Sequence, residues 1–144
     1  MIRIYGTLGP ACDRAETLEE MLKLGMTGLW LNLSHGSLEQ AAGELARGGV
    51  GTVVVSLGGD GALFVTGDQA LRGYGLRVPV QSTVGAGDSM MAAMAHGAAR
   101  GMRFRDTCAL AMAVSAAAVT TPGTQPAEMQ LVNELLKQVR IEEV

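Results

Sequence analysis

The segment Gln81–Met90 has the sequence QSTVGAGDSM. It places a glycine-rich turn and one acidic residue where a helix is expected to begin. Backbone N–H groups of Gly85, Ala86 and Gly87 are predicted to converge on an anion, and the positive end of the helix dipole adds to the attraction. The carboxylate of Asp88 is placed to take a proton from an attacking hydroxyl. The stretch therefore predicts an anion-binding turn followed by a general base.

Structural explanations exist for the same residues. Glycine turns before helices often serve packing in α/β proteins, so this pattern by itself is only moderately specific. An aspartate at the start of a helix often caps it, which gives Asp88 a second interpretation.

A second informative segment, at 52–65, has the sequence TVVVSLGGDGALFV. Two apolar runs flank a glycine turn, which predicts two buried strands joined by a tight connection. Asp60 lies within that turn, where aspartate is favoured by bonding to the local backbone. The segment therefore indicates two buried strands joined by a tight turn, in which a catalytic role for Asp60 is not expected.

The remaining periodicity predicts an α/β protein. Strands are expected at 2–6, 28–33, 51–57, 62–66 and 74–80, and helices at 15–24, 37–47, 87–100, 106–119 and 126–138. Strands that alternate with helices favour a parallel sheet with helices on its faces. We expect a three-layer α/β fold with a mostly parallel sheet, in a single compact domain over residues 1–144.

Together, the segments 52–65 and 81–90 resemble the C-terminal part of the ribokinase-type (PfkB) sugar kinases, in particular the 1-phosphofructokinase and tagatose-6-phosphate kinase group. The resemblance extends over about 38–144 and includes the tail, where AAAVTTPGT and VNELL are similar to the closing helices of those kinases. It implies that Asp88 is the catalytic base and that Gly85, Ala86 and Gly87 form the anion hole for the γ-phosphate. It further implies contacts to ATP from Ser56, Leu57, Gly58, Gly59, Asp60 and Gly61.

The first 37 residues resemble a different family. TLGPA, ETLEEML and LNLSHG follow one another as in the opening β-α-β unit of pyruvate kinase. The resemblance implies that Asn32 and Ser34 match positions for a monovalent cation, but Trp30 replaces the arginine that helps to bind phosphate there. Tryptophan cannot supply a charged bidentate pair of donors, and 144 residues are too few for a (β/α)₈ barrel of about 250. We therefore interpret residues 1–37 as a β-α-β segment that precedes the ribokinase-like segment 38–144, in a natural or engineered chimera.

Composition limits the partners. The net charge is −3 and the basic residues are scattered, so nucleic-acid binding is not expected. The apolar stretch 109–119 is too short for a membrane span, and the N-terminus does not resemble a signal peptide. Cys12 and Cys108 fit no metal spacing and are expected to be reduced thiols in a cytoplasmic protein.

Three functions follow from these observations. The first is an ATP-dependent, Mg²⁺-requiring kinase of the 1-phosphofructokinase type that acts on fructose 1-phosphate, in truncated or remnant form. The second is a non-catalytic chimeric protein with at most weak nucleotide or phosphate binding. The third, a pyruvate kinase-related activity, is disfavoured by Trp30. Formation of a homo-oligomer through an exposed sheet edge or face is a further expectation.

Overall fold

The computed structural model describes residues 4–8, 17, 20–21, 23–32, 38–67 and 69–144. Its strands are β1 (Ile4–Leu8), β2 (Met26–Asn32), β3 (Thr52–Ser56), β4 (Gly61–Val65), β5 (Ala70–Tyr74) and β6 (Ile141–Glu143). Its helices are α1 (Leu38–Arg47), α2 (Ala86–Ala99), α3 (Phe104–Ala118) and α4 (Met129–Leu136), with a 3₁₀ turn at Gly58–Asp60. The predicted helix 15–24 contains the helical residues Thr17, Glu20, Met21 and Lys23.

The six strands form one sheet in the order β1-β2-β3-β4-β5-β6. β1 pairs with β2 and β2 with β3 in parallel, with Leu29 opposite Val53 in the second pair. The links from β3 to β4 and from β4 to β5 are too short for a parallel crossover, which makes these pairs antiparallel. The N–H of Tyr74 donates to Arg140 O and that of Val144 to Ala70 O, so β6 runs antiparallel to β5. The expected parallel arrangement therefore holds for β1 to β3, and the rest of the sheet is antiparallel.

Two compact units share the chain. The N-terminal unit comprises Met1–Leu57, Leu63–Leu71 and Glu143–Val144. Its core is a cluster of buried apolar residues: Met26, Ala42, Val50, Val53, Val55, Leu63 and Val65. Val53, Val54 and Val55 are all fully buried, which shows that both faces of β3 are covered. The β-branched run predicted as a buried strand is confirmed.

The C-terminal unit comprises Gly58–Ala62 and Arg72–Glu142. One cluster in its core joins Ala113 and Ala117 of α3 to Val132 and Leu135 of α4. Helices α2 and α3 pack closely, since a Cβ added to Gly97 would lie 2.5 Å from Thr107 Oγ1. Small residues at this contact therefore set how near the two helices can come.

Two predicted elements differ from the structure, and one observed strand has no predicted counterpart. The strand expected at 74–80 is wrong: β5 spans Ala70–Tyr74, and 75–80 has no regular secondary structure. The last helix is shorter than the expected 126–138, because the chain is extended at Glu128. Strand β6, with the sequence IEE, was not predicted. It is short and largely charged, so it carries no apolar alternation.

Cys108 has a free thiol that is completely buried on α3. Burial raises the pKa of this thiol from its ordinary value of 9.0 to about 12, because the thiolate would lose its hydration. Cys12 lies outside the described residues, so the expectation that it is a reduced thiol stays a prediction.

The titration of Cys108 predicts a loss of stability at alkaline pH. The folded state holds the thiol proton more tightly, so the stabilisation is complete below pH 9.0 and is lost as the pH rises toward 12. We expect the free energy of unfolding of the wild type to fall more steeply than that of Cys108→Ala, by about 1.4 kcal/mol per pH unit above 9. Urea unfolding of both proteins at about pH 8 and about pH 10.5 measures this difference. Parallel pH curves for the two proteins would contradict the assignment.

Candidate active site

The turn before α2 depends on a left-handed glycine. Gly85 has φ 82° and ψ −2°, the angles of the third residue of a type II turn. The N–H of Ala86 donates to Thr83 O at 3.3 Å and closes that turn. A residue with a Cβ rarely adopts these angles, which explains why glycine occupies position 85.

Helix α2 begins directly after this turn, with free N–H groups. The first full helical bond runs from the N–H of Ser89 to Gly85 O at 2.8 Å. The N–H groups of Gly87 and Asp88 meet no acceptor in the part of the chain that the structure describes. Free donors are expected in the first turn of a helix, where the dipole also favours an anion. Of the predicted donors, the N–H groups of Gly85 and Gly87 have no acceptor among the described residues, whereas the N–H of Ala86 is used within the turn.

Asp88 lies in the first turn of α2, and its side chain is exposed. The N-cap position belongs to Gly85, and no side-chain bond caps the helix. Among the described residues, no hydrogen bond or ion pair involves the Asp88 carboxylate. The capping explanation therefore does not account for this residue, whose carboxylate is available to an outside proton donor.

The segment before the turn is fastened to the end of α3. The N–H groups of Gln81 and Ser82 both donate to Val119 O, at 2.8 and 3.3 Å. Ser82 Oγ then accepts from the N–H of Val84 at 3.2 Å. Thr124 lies beside Gly85, where an added Cβ would come within 3.6 Å of Thr124 Cγ2. Sequence reasoning missed Val119 and Thr124, because nothing in a local pattern pairs residues this far apart in the chain.

The second predicted segment forms an exposed turn between β3 and β4. Ser56 ends β3, Gly58–Asp60 is a solvent-exposed 3₁₀ turn, and Gly61 begins β4. No hydrogen bond joins residues 58–61 to residues 85–88 within the described ranges. The structure thus describes two separate glycine turns, and their common use by one ligand stays a prediction.

The glycines of this second turn have different structural reasons. Gly61 has φ 104°, and a Cβ added to it would lie 2.0 Å from Gly73 O. A Cβ added to Gly75 would lie 1.8 Å from Gly59 O. A Cβ added to Gly59 itself would contact nothing within 4 Å. Close backbone packing therefore requires glycine at 61 and 75, whereas Gly59 has open space.

This difference gives a paired test. We expect Gly61→Ala to lower the free energy of unfolding by about 2 to 4 kcal/mol, because the methyl group collides with backbone and the residue must keep a positive φ. The matched variant Gly59→Ala is expected to change stability by less than about 1 kcal/mol. Urea unfolding followed by circular dichroism measures both. Equal losses in the two variants would show that the close approach at Gly61 does not decide the stability of the turn.

The described part of the chain contains no dedicated metal site. Among the described residues, no group of three or more His, Cys, Asp or Glu side chains is placed to hold a metal ion. Asn32 is the last residue of β2, and Ser34 lies outside the described residues. Their predicted role in cation binding therefore stays a prediction. None of the described helices combines the length and the apolar character that crossing a membrane requires.

Comparison with known proteins gives the family. The family model described as pfkB family carbohydrate kinase matches residues 17–130. The chain belongs to this family. The match begins upstream of residue 38, where the resemblance was expected to start, and it includes both glycine turns. The pyruvate kinase-like interpretation of residues 1–37 stays a prediction.

This chain matches only part of the length of its curated pfkB relatives. A 1-phosphofructokinase from Haemophilus influenzae is 34% identical over 116 residues, which is 78% of this chain and 37% of that protein. A 1-phosphofructokinase from Rhodobacter capsulatus is 43% identical over 83 residues, which is 58% of this chain and 26% of the relative. The chain thus spans well under half of the length of either relative.

Solved structures confirm the fold. Phosphofructokinase-2 from Escherichia coli, in complex with substrates and products, aligns with a TM-score of 0.71 and 23% identity over 94% of this chain and 56% of that one. Ribokinase from Thermotoga maritima aligns with a TM-score of 0.76 and 23% identity over 92% of this chain and 48% of that one. The predicted ribokinase-like α/β fold, with helices flanking a sheet, is therefore confirmed.

Proposed function

We propose that this chain carries the phosphoryl-transfer site of an ATP-dependent sugar-phosphate kinase of the 1-phosphofructokinase type. The observation that carries the proposal is an exposed Asp88 carboxylate, in the same helical turn as the N–H of Gly87, where neither group has a hydrogen-bond partner among the described residues. Phosphoryl transfer to a hydroxyl requires two groups from the protein, a general base and a backbone that binds the anion. Similarity to 1-phosphofructokinases supports fructose 1-phosphate as the acceptor.

The reaction assigns a separate task to each part of the turn. Asp88 accepts the proton of the 6-hydroxyl of fructose 1-phosphate as the hydroxyl oxygen bonds to the γ-phosphorus of ATP. The bond between that phosphorus and the β–γ bridging oxygen breaks, and the electron pair leaves with ADP. Backbone N–H groups at Gly85 and Gly87 stabilise the negative charge on the transferring phosphoryl group. These donors are fixed before the substrate arrives, so they need no reorganisation during the reaction.

The residues present fit Mg²⁺ as a partner of the nucleotide. Asp88 is a single exposed carboxylate, and one or two carboxylates together with phosphate oxygens and waters are a common environment for this ion. When bound, Mg²⁺ neutralises charge on the phosphates. The chain itself would contribute the Asp88 carboxylate near the ion, and the neighbouring backbone N–H groups would bind phosphate oxygens, since an N–H donor cannot ligate a cation. The predicted nucleotide-binding segment, Ser56–Gly61, offers the exposed backbone of its 3₁₀ turn to the rest of ATP.

Binding and turnover test this proposal separately. We expect Mg·ATP to bind the wild type, and Gly87→Val to weaken binding at least tenfold, since a branched side chain would occupy the space beside the free N–H groups. Asp88→Asn is expected to keep the affinity within about threefold and to lower phosphorylation of fructose 1-phosphate by about 10²- to 10⁴-fold. Isothermal titration gives the affinities, and coupled detection of ADP gives the turnover.

Asp106→Asn is the matched control, because Asp106 is an exposed aspartate in the first turn of α3. It should change neither binding nor turnover. Binding without sugar-dependent turnover in the wild type would favour the alternative of a non-catalytic nucleotide-binding protein. Turnover that survives Asp88→Asn would remove the general base from the mechanism. The cytoplasmic location and a homo-oligomeric state stay predictions.

A further inference from the structure

The carbonyl oxygen of Asp60 accepts two hydrogen bonds from residues at the end of β5 and directly after it. Arg72 Nη2 donates to it at 2.9 Å, and the N–H of Gly75 donates to it at 3.3 Å. Asp60 is the last residue of the exposed turn Gly58–Asp60. One exposed main-chain oxygen thus accepts both a charged and a neutral hydrogen bond from neighbouring residues of one segment.

The turn needs such support because a glycine lies at each end of it. Gly58 has φ 58° and Gly61 has φ 104°, both in the left-handed region. Glycine has more backbone freedom to lose than any other residue, so an isolated turn of this composition would sample many conformations. A hydrogen bond from a guanidinium is stronger than one between neutral groups. Arg72 therefore restricts the backbone of the turn more than the Gly75 bond could alone.

Arg72 is itself held in place by neighbours on the same face of the sheet. Residues 72 and 74 of a strand point to the same side, and the guanidinium carbon of Arg72 lies 5.8 Å from the centroid of the Tyr74 ring. The Tyr74 hydroxyl donates to Glu142 Oε2 at 2.7 Å, and Arg140 pairs with the other oxygen of Glu142. These bonds hold the pKa of Glu142 below its ordinary value, so its carboxylate stays ionised and keeps Tyr74 oriented.

We propose that Arg72 is a positioning residue for the nucleotide, acting through the backbone of the turn Gly58–Gly61. The inference rests on the proposed function, in which that turn lies against ATP. Arg72 fixes the direction of the peptide groups around Asp60, and those groups then meet the nucleotide without a loss of conformational freedom on binding. The segment Gly85–Asp88 is fastened independently, through Val119, and does not depend on Arg72.

Two ligands separate this role from a general structural one. We expect Arg72→Ala to raise the Kd for Mg·ATP about tenfold, because a charged hydrogen bond no longer orders the turn. The Kd for inorganic phosphate, which tests the Gly85–Asp88 turn alone, should not change. Arg72→Lys should recover most of the ATP affinity, since one carbonyl acceptor needs one cationic donor. Arg77→Ala, at an exposed arginine outside this cluster, is the control and should match the wild type.

Hydrogen exchange of the peptide that covers residues 58–61 supplies the second readout. Exchange should be several-fold faster in Arg72→Ala than in Arg77→Ala. An unchanged Kd for Mg·ATP in Arg72→Ala would overturn the positioning role and leave the proposed function intact. A parallel loss of phosphate affinity would show general damage to the fold and also overturn it. A wild type that binds phosphate but not Mg·ATP would refute nucleotide binding itself, and faster exchange would then reflect only a structural bond.

Discussion

The left-handed backbone at Gly85 is the constraint on which the proposed site depends. It forms the third residue of the turn Thr83–Ala86 and sets the residue at which α2 begins. Because the helix begins there, the N–H groups of Gly87 and Asp88 face no protein acceptor in the described part of the chain. The same start places the Asp88 carboxylate on the second of those two residues, in the first turn of the helix. One glycine thus determines both where an anion can bind and where a proton can be accepted.

Local sequence was sufficient for much of this arrangement. The valine run of β3 and the glycine-to-helix transition at 85–86 are determined by nearby residues, and both were predicted within two residues of their observed bounds. β5 was misplaced because its sequence, ALRGY, contains a glycine and an arginine where alternation would be read. Its position is set by partners distant in sequence, such as Arg140. The two glycine turns were also predicted from local pattern, whereas the bonds that fasten them were not.

Those bonds share a physical form. Both turns are fixed through main-chain oxygens: Val119 O receives two donors from the segment before Gly85, and Asp60 O receives two donors from the end of β5. Every residue has a main-chain carbonyl, so the residue type does not predict which carbonyl oxygen will accept such hydrogen bonds. Sequence patterns reveal the glycines that permit such turns. They do not reveal which backbone atoms elsewhere hold them.

The pairing of β6 with β5 has a practical consequence for handling this protein. Ile141 O, on the outer side of β6, accepts a hydrogen bond from Arg105, and the N–H of Val144 donates to Ala70 O. Val144 is therefore hydrogen-bonded to the sheet, directly after a strand whose Glu142 orients Tyr74. A segment that directly follows Val144 would start from this hydrogen-bonded position, so a fluorescent or affinity group placed there would strain β6 unless a flexible linker separates the two. A label for surface immobilisation is better attached at an exposed side chain such as Lys137, the residue that directly follows α4.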